Sequence, residues 1–267
     1  MPESEFSQAQ AAVRRVGYAL AQLIDTAPDA SARLPNSEWT VRELAVHVTL
    51  GTEMYGRFAN GETEPFVDLS DIAGGSLART TAARLDDEPE QDLHVLAKRL
   101  QAAIDSLIAS CASRSESDPA VWNGVQTDLR AMLGLALGEC LVHGYDLASF
   151  LDRSWPLEKS DARLILASAL AMLPLLVNPK TSAGVNVDYD LRVRGGTRVT
   201  LRINDGKVTT DEPGAKVECH VSAHPVALLL VAYGRQTQWV PMLTGKLLAW
   251  GRKPWLGLKL TSYLVAP

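Results

Sequence analysis

Two histidines and a glutamate are the residues of this 267-residue chain whose types and spacing promise chemistry. Glu139 and His143 stand four residues apart, one helical turn, so a single cation could touch both side chains. His47, set among Leu44, Val48 and Gly51 on another helical stretch, is the candidate third donor. Two imidazoles and a carboxylate suit a borderline divalent metal such as Zn2+, and three protein donors leave a coordination position for a reacting molecule. Spacing leaves a second reading open: a buried, hydrogen-bonded Glu–His pair with an unrelated core histidine. In either case Glu139 needs a cation or hydrogen bonds, because a buried carboxylate without partners is costly. Asp146, three residues past His143, could orient the non-ligating nitrogen of that imidazole, cap a loop or pair with an arginine.

The remaining reactive side chains compete poorly. Cys111, Cys140 and Cys219 lack CxxC spacing and read as small buried hydrophobes of a reducing cytosol. Cys140 adjoins Glu139 but is turned about 100° away along a helix. His94 falls off the inner face of its helix and is expected in solvent. His220 and His224 are separated by a strand-to-helix break at Ser222 and Pro225, so they are not expected to face together. The sequence offers no Ser/His/Asp set and no HExxH near the three candidate donors. Either metal-bound water attacks a substrate, or an external nucleophile such as a thiol takes the open position.

The elements that must position these residues change character along the chain. Val13, Val16, Leu20, Leu23 and Ile24 keep helical spacing; Thr40-Val-Arg-Glu43 is a capping box opening a second helix that runs to about Asn60-Gly61. Residues 62–80, with Pro65 and Gly74-Gly75, read as a long loop holding one short helical turn. A third helix follows Pro89, with Leu93, Leu96, Leu100, Ile104, Leu107, Ile108 and Cys111 inward. A fourth runs from about Thr127 to Leu151, with Met132, Leu135, Glu139, Val142, His143, Asp146 and Phe150 inward. Four such helices predict a four-helix bundle over residues 1–153. From 154 to 267 the expectation is α+β: an apolar helix over 157–177, then alternating strands, with a hairpin turn at Asn204-Asp205-Gly206. A helix capped by Ser222 should cover Val226–Tyr233, and a last strand 247–250. The sheet is expected to be antiparallel with helices on one side, and Trp239, Trp250 and Trp255 to pack in the core.

Composition narrows the function classes. A net charge of -5 gives no basic field for nucleic acid. The opening MPESEFSQAQ is not a secretory or mitochondrial signal, and the longest apolar stretch, Leu164–Val177, is too short to cross a bilayer. The reading is a cytoplasmic protein without membrane or nucleic-acid partners, and, lacking coiled-coil heptads, a monomer.

Two long motifs add a resemblance. Leu34-Pro-x-Ser37-Glu-Trp39-Thr-Val-Arg-Glu-Leu44-Ala-Val-His47, then Gly138-Glu139-x-x-x-His143-Gly-x-Asp146-Leu, resembles the metal-binding bundle of the mycothiol-dependent maleylpyruvate isomerases, within the wider DinB-like group. Ala223-His-Pro225-Val-Ala, Tyr233-Gly-Arg235 and Leu243-Thr-Gly245 are similar to the sterol-carrier-like C-terminal domain of these proteins. The resemblance implies zinc on His47, Glu139 and His143, and mycothiol as the thiol cosubstrate. It implies thiol addition to a small electrophile, as a cis–trans isomerase of the maleylpyruvate type or a thiol S-transferase. It also implies that Arg235 contacts a substrate carboxylate, with Arg252 a weaker rival. Two other functions compete: hydrolysis by metal-bound water, and a non-catalytic protein binding an apolar ligand.

Overall fold

The computed structural model describes residues 5–35, 37, 39–67, 75–214 and 216–264. These divide into two compact units, the first closing at Leu157 and the second opening at Glu158. Among the described residues no helix is long and apolar enough to cross a membrane.

The first unit contains α1 (Glu5–Asp25), α2 (Val41–Ala59), α3 (Ser76–Asp87), α4 (Leu93–Ser110) and α5 (Leu129–Phe150). Its bundle is α1, α2, α4 and α5, with α2 on α4 and α5, and α1 on α4 and α5. Each of the last three bundle helices starts at a side-chain cap. The Thr40 hydroxyl accepts from the Glu43 N–H at 3.2 Å while the Glu43 carboxylate accepts from the Thr40 N–H at 2.6 Å. Asp92 accepts from the His94 N–H and Asp128 from the Ala131 N–H, each at 2.8 Å. Such caps satisfy backbone donors that the first helical turn leaves unpaired.

Two elements depart from the sequence expectation. Helix α3 takes over the end of the expected loop, residues 76–80, and runs on to Asp87; residues 68–74 of that loop lie outside the described residues. Only Ser76 and Leu85 of α3 are buried, so it has no apolar stripe to announce it. Arg84 fastens it by donating to the Leu50 carbonyl at 3.1 Å, and Arg42 donates to the carbonyls of Glu88 and Glu90 just beyond it. A hairpin, β1 (Pro119–Trp122) and β2 (Val125–Asp128), then precedes α5, which starts at Leu129 rather than Thr127. Its turn is Asn123-Gly124, with φ of +48° and +83°, the left-handed pair that a tight two-residue hairpin requires.

The first unit reaches past residue 153 because Trp155 packs back on it: the indole N–H donates to the Leu141 carbonyl at 3.0 Å.

The second unit contains α6 (Lys159–Met172), α7 (Pro179–Ser182), β3 (Asn186–Val193), β4 (Arg198–Asn204), β5 (Lys207–Asp211), β6 (Cys219–Ala223), α8 (Pro225–Ala232), α9 (Trp239–Leu243) and β7 (Leu247–Trp250). Helix α6 stops short of the expected 177 because a 3-10 turn with Pro174 follows it. The sheet order is β5-β4-β3-β6-β7. It is mixed, not wholly antiparallel, since β3 and β6 run parallel. Alternation gives the face of each residue but not the direction of its neighbour, so this pairing was illegible. Ser222 is not a helix cap: it lies in β6 and accepts from Arg194 at 3.1 Å, while His224 occupies the cap position of α8. The three tryptophans are not core residues either, being 57%, 48% and 56% exposed at Trp239, Trp250 and Trp255.

Candidate metal centre

The capping box sets where α2 begins, and seven residues on it delivers His47; the Asp128 cap does the same for Glu139 and His143 on α5. The three side chains converge. Nε2 of His47 and Nε2 of His143 each lie 3.4 Å from the same Glu139 oxygen, Oε2. One ligand atom from each residue falls within 4.8 Å of the others. Charge-assisted N–H···O bonds are about 2.7–2.9 Å long, so these contacts are too loose for a mutually hydrogen-bonded cluster. Donors bound to zinc at about 2.0–2.1 Å with tetrahedral angles stand about 3.3–3.4 Å apart. The spacing therefore fits donors around a shared ion better than donors bonded to one another.

The cluster faces an opening rather than the middle of the bundle. Helix α5 is apolar nearly all round, with Met132, Leu133, Ala136, Leu137, Cys140 and Leu141 buried. Of the expected inner face, Met132 and Val142 are buried, whereas Leu135, Glu139, His143 and Asp146 form a less buried line. Side-chain exposures of 22% at His47, 34% at Glu139 and 12% at His143 leave a way in. Beside His47, a Cβ added at Gly51 would meet nothing within 4 Å.

Trp39 is the member that sequence reasoning missed. Its ring centre lies 4.6 Å from that of His47 and 5.6 Å from that of His143, and the two imidazoles are 4.9 Å apart, edge to face. The strand-like segment before α2 places it there: the Leu34 N–H donates to the Trp39 carbonyl and the Val41 N–H to the Ala32 carbonyl, both at 2.9 Å. The available signal was an aromatic residue immediately before the capping threonine.

Electrostatics give the three groups different charges. Burial raises the Glu139 carboxyl, but the imidazoles of His143 and His47 outweigh it and hold Glu139 well below the ordinary carboxylate range. Burial lowers His47, against the opposing pull of Glu139. Burial lowers His143 too, yet the Asp146 and Glu139 carboxylates overcome it and leave this imidazole above its ordinary value. Its Nδ1 lies 3.6 Å from Asp146, beyond a normal hydrogen bond, and this buried nitrogen has no closer partner. An ionised carboxylate beside one neutral and one readily protonated imidazole is a donor set that a divalent cation can occupy by displacing a proton.

No protein thiol serves as nucleophile here. Cys140 is fully buried, and burial with the adjacent Glu139 charge pushes its thiol up to about 12. Cys111 and Cys219 are buried as well. The native chain should give no reaction with a thiol-specific chromogenic disulfide at pH 8 and three equivalents after denaturation in guanidinium; one rapid equivalent in the native state would contradict this.

Each of the other sequence candidates has a local partner of its own. His94 is exposed and pairs with Asp25 at 2.6 Å. In the second unit His220 pairs with Asp190 at 2.8 Å and stacks on Trp250. Arg235 follows α8, where Nη1 donates to the Tyr233 carbonyl at 2.6 Å. Arg252 is 72% exposed and pairs with Glu218.

Comparison with known proteins bears on this geometry. Residues 9–148, which span the bundle and all three donors, match the family described as the Mycothiol maleylpyruvate isomerase N-terminal domain. No curated protein matches the sequence. The crystal structure of a mycothiol-dependent maleylpyruvate isomerase is similar at 15% identity and a TM-score of 0.52, covering 93% of each chain. A histidine-to-alanine mutant of the mycothiol-dependent maleylpyruvate isomerase is similar at 14% identity and 0.53, with the same coverage. At such identities the likeness is one of fold.

Proposed function

The chain belongs to the mycothiol maleylpyruvate isomerase family, and from that membership we propose a cytoplasmic, zinc-dependent enzyme that activates mycothiol for addition to a small electrophile. The observation that carries this reading is the pair of 3.4 Å approaches to one Glu139 oxygen, on a side of the bundle that solvent can reach. A zinc ion held by His47, Glu139 and His143 would lower the pKa of a thiol as it does that of water. The Asp146 carboxylate stands 3.6 Å behind His143 and favours its charged form, and Trp39 walls one side of both imidazoles. With Cys140 inert, the attacking sulfur comes from the cosubstrate. On a cis-enedioate it adds to one alkene carbon, the resulting single bond rotates, and elimination returns the thiol and the trans isomer. With other electrophiles the adduct leaves as product, an S-transferase outcome. We assign Arg235 to a substrate carboxylate, for which a guanidinium supplies paired donors.

Turnover of a cis-enedioate of the maleylpyruvate type should require both zinc and mycothiol. Turnover indifferent to thiol would replace this reading with hydrolysis. Arg235→Ala should raise KM by roughly tenfold or more, the loss of a charge-assisted hydrogen bond worth about 1.5–3 kcal/mol.

A further inference from the structure

In the second unit Lys159, Arg163, Arg194 and Lys246 gather around His224. Lys159 and Arg163 stand four residues apart at the start of α6 and share a face, a spacing at which like charges weaken a helix. Arg163 reaches the turn between β3 and β4. A Cβ added at Gly195 would lie 3.0 Å from its Nη2 and one at Gly196 3.2 Å from its Cγ, so the side chain lies against bare backbone there. Arg194, on the same turn, donates from Nε to the Ser222 hydroxyl at 3.1 Å and from Nη2 to the Gly245 carbonyl at 2.8 Å. Its N–H donates to the Ala223 carbonyl at 2.9 Å, and the His224 N–H to the Lys246 carbonyl at 2.7 Å. These bonds hold Arg194, His224 and Lys246 at one end of the sheet, with Arg163 laid over it. Nearby carboxylates are engaged elsewhere: Asp190 with Arg198, Asp188 and Asp211 with Arg202, and Glu218 with Arg252. Asp161 is buried and turned about 200° along α6 from both Lys159 and Arg163. Among the described residues none of the four cations has an ion-pair partner.

Two polar atoms of this group are orphaned: Nε of Arg163 and Nδ1 of His224 are buried without a hydrogen-bond partner. Burial, and then the charges of Lys159, Lys246, Arg194 and Arg163, push the His224 imidazole below its ordinary range, so it sits neutral in a positive field. Helix α8 starts beside it without a side-chain cap, its first residue Pro225 having no N–H, which leaves first-turn backbone donors unclaimed by any side chain. Lys159 and Lys246 are exposed and Arg163, Arg194 and His224 half-buried, so a ligand can reach the group. Like charges held together repel, and a bound anion reverses that cost. We infer that Lys159, Arg163, Arg194, His224 and Lys246 form a binding site for a phosphate monoester, independent of the metal centre and of the functional reading above. Such a group carries about 1.5–2 negative charges at neutral pH and three acceptor oxygens, which suits several convergent donors better than a lone carboxylate does. The two guanidinium groups offer forked donors and the two lysines point charges.

The test titrates the full chain, without added zinc, calorimetrically with inorganic phosphate in chloride of constant ionic strength. Arg163→Ala should weaken binding roughly tenfold or more, and Arg163→Lys should recover part of it, since lysine keeps the charge but not the fork. Lys246→Ala removes an exposed side chain and should weaken binding without disturbing the fold, which keeps the test open if circular dichroism shows the Arg163 variants unfolded. Arg57→Ala, which removes a half-exposed cation of the first unit, should change nothing. Phosphate should also move the ring-proton titration of His224 upward, because an anion opposes the field of the four cations; a cluster with a merely structural role would not respond. Vesicles of phosphatidylcholine with and without phosphatidic acid tell two sources of the group apart. Co-sedimentation that needs phosphatidic acid and is lost in Lys246→Ala assigns a lipid headgroup; phosphate binding without co-sedimentation assigns a soluble ester. The inference is overturned if folded wild type binds no phosphate above the chloride background, or if Arg163→Ala and Lys246→Ala bind it as wild type does. Absence of thiol-dependent turnover would overturn the functional reading and leave this site untouched.

Discussion

His47→Ala is expected to leave the chain folded and strip it of metal. The cluster has three donors, so a cation that loses one keeps only Glu139 and His143 from α5. Structural zinc sites with four protein ligands are worth about 10–16 kcal/mol, or roughly 2.5–4 kcal/mol per ligand, which corresponds to a loss of about 60- to 700-fold in affinity. Competition with a chromophoric chelator measures that ratio directly. The fold should survive because the imidazole lies on the open side of the bundle, with its side chain 22% exposed, so truncation opens no sealed cavity. Thiol-dependent turnover should fall with metal content. Glu139→Gln is the informative companion: it keeps the shape of the donor while removing the charge that holds two imidazoles in place. Zinc bound to His47→Ala at wild-type stoichiometry and affinity would mean that the three groups do not share an ion, and the catalytic reading would fail with it.

The donors were legible because helical spacing is a local rule. Glu139 and His143 meet whatever the rest of the chain does, and the Thr40–Glu43 box fixed the phase of the helix that carries His47. What local rules could not supply was direction. On a helix apolar all round, as α5 is, periodicity does not say which line faces out, so the expectation placed Leu135, Glu139 and His143 inward when they form the more open line. Trp39 and Arg84 were invisible for a related reason. Their importance lies in contacts to His143, 104 positions away, and to Leu50, 34 positions away. Helix α3, which carries Arg84, is held by charged side chains reaching carbonyls rather than by an apolar stripe. The Asn123-Gly124 turn, by contrast, was a readable signal, masked by the polar run before it. In the second unit alternation found the strands, but the parallel β3–β6 pairing and the exposure of Trp239, Trp250 and Trp255 depend on a crossover that spacing does not encode.

Gly144→Ala should be the most damaging small substitution near the site. An added Cβ would stand 2.0 Å from Cζ2 of Trp155 and under 3 Å from two more ring atoms, and an indole ring cannot bend aside as an aliphatic tip can. The ring must leave, and with it the hydrogen bond from its N–H to the Leu141 carbonyl, which lies on α5 one turn before the clash. Overpacking of this kind together with one lost buried hydrogen bond comes to about 2–4 kcal/mol, roughly 5–15 °C in the Tm of a unit this size. Thermal denaturation followed by circular dichroism measures it. The mechanism makes a second claim of opposite sign. Gly144 is an ordinary helical position, without a left-handed backbone, and alanine is the better helix former by about 1 kcal/mol. In a Trp155→Ala background, therefore, Gly144→Ala should stabilise the chain rather than weaken it, so the two substitutions should be strongly non-additive. Equal destabilisation in both backgrounds would show that the glycine is required by something other than the indole. The site would feel the difference, because Gly144 follows His143 directly: the tryptophan that closes the first unit is seated one residue from a proposed metal donor.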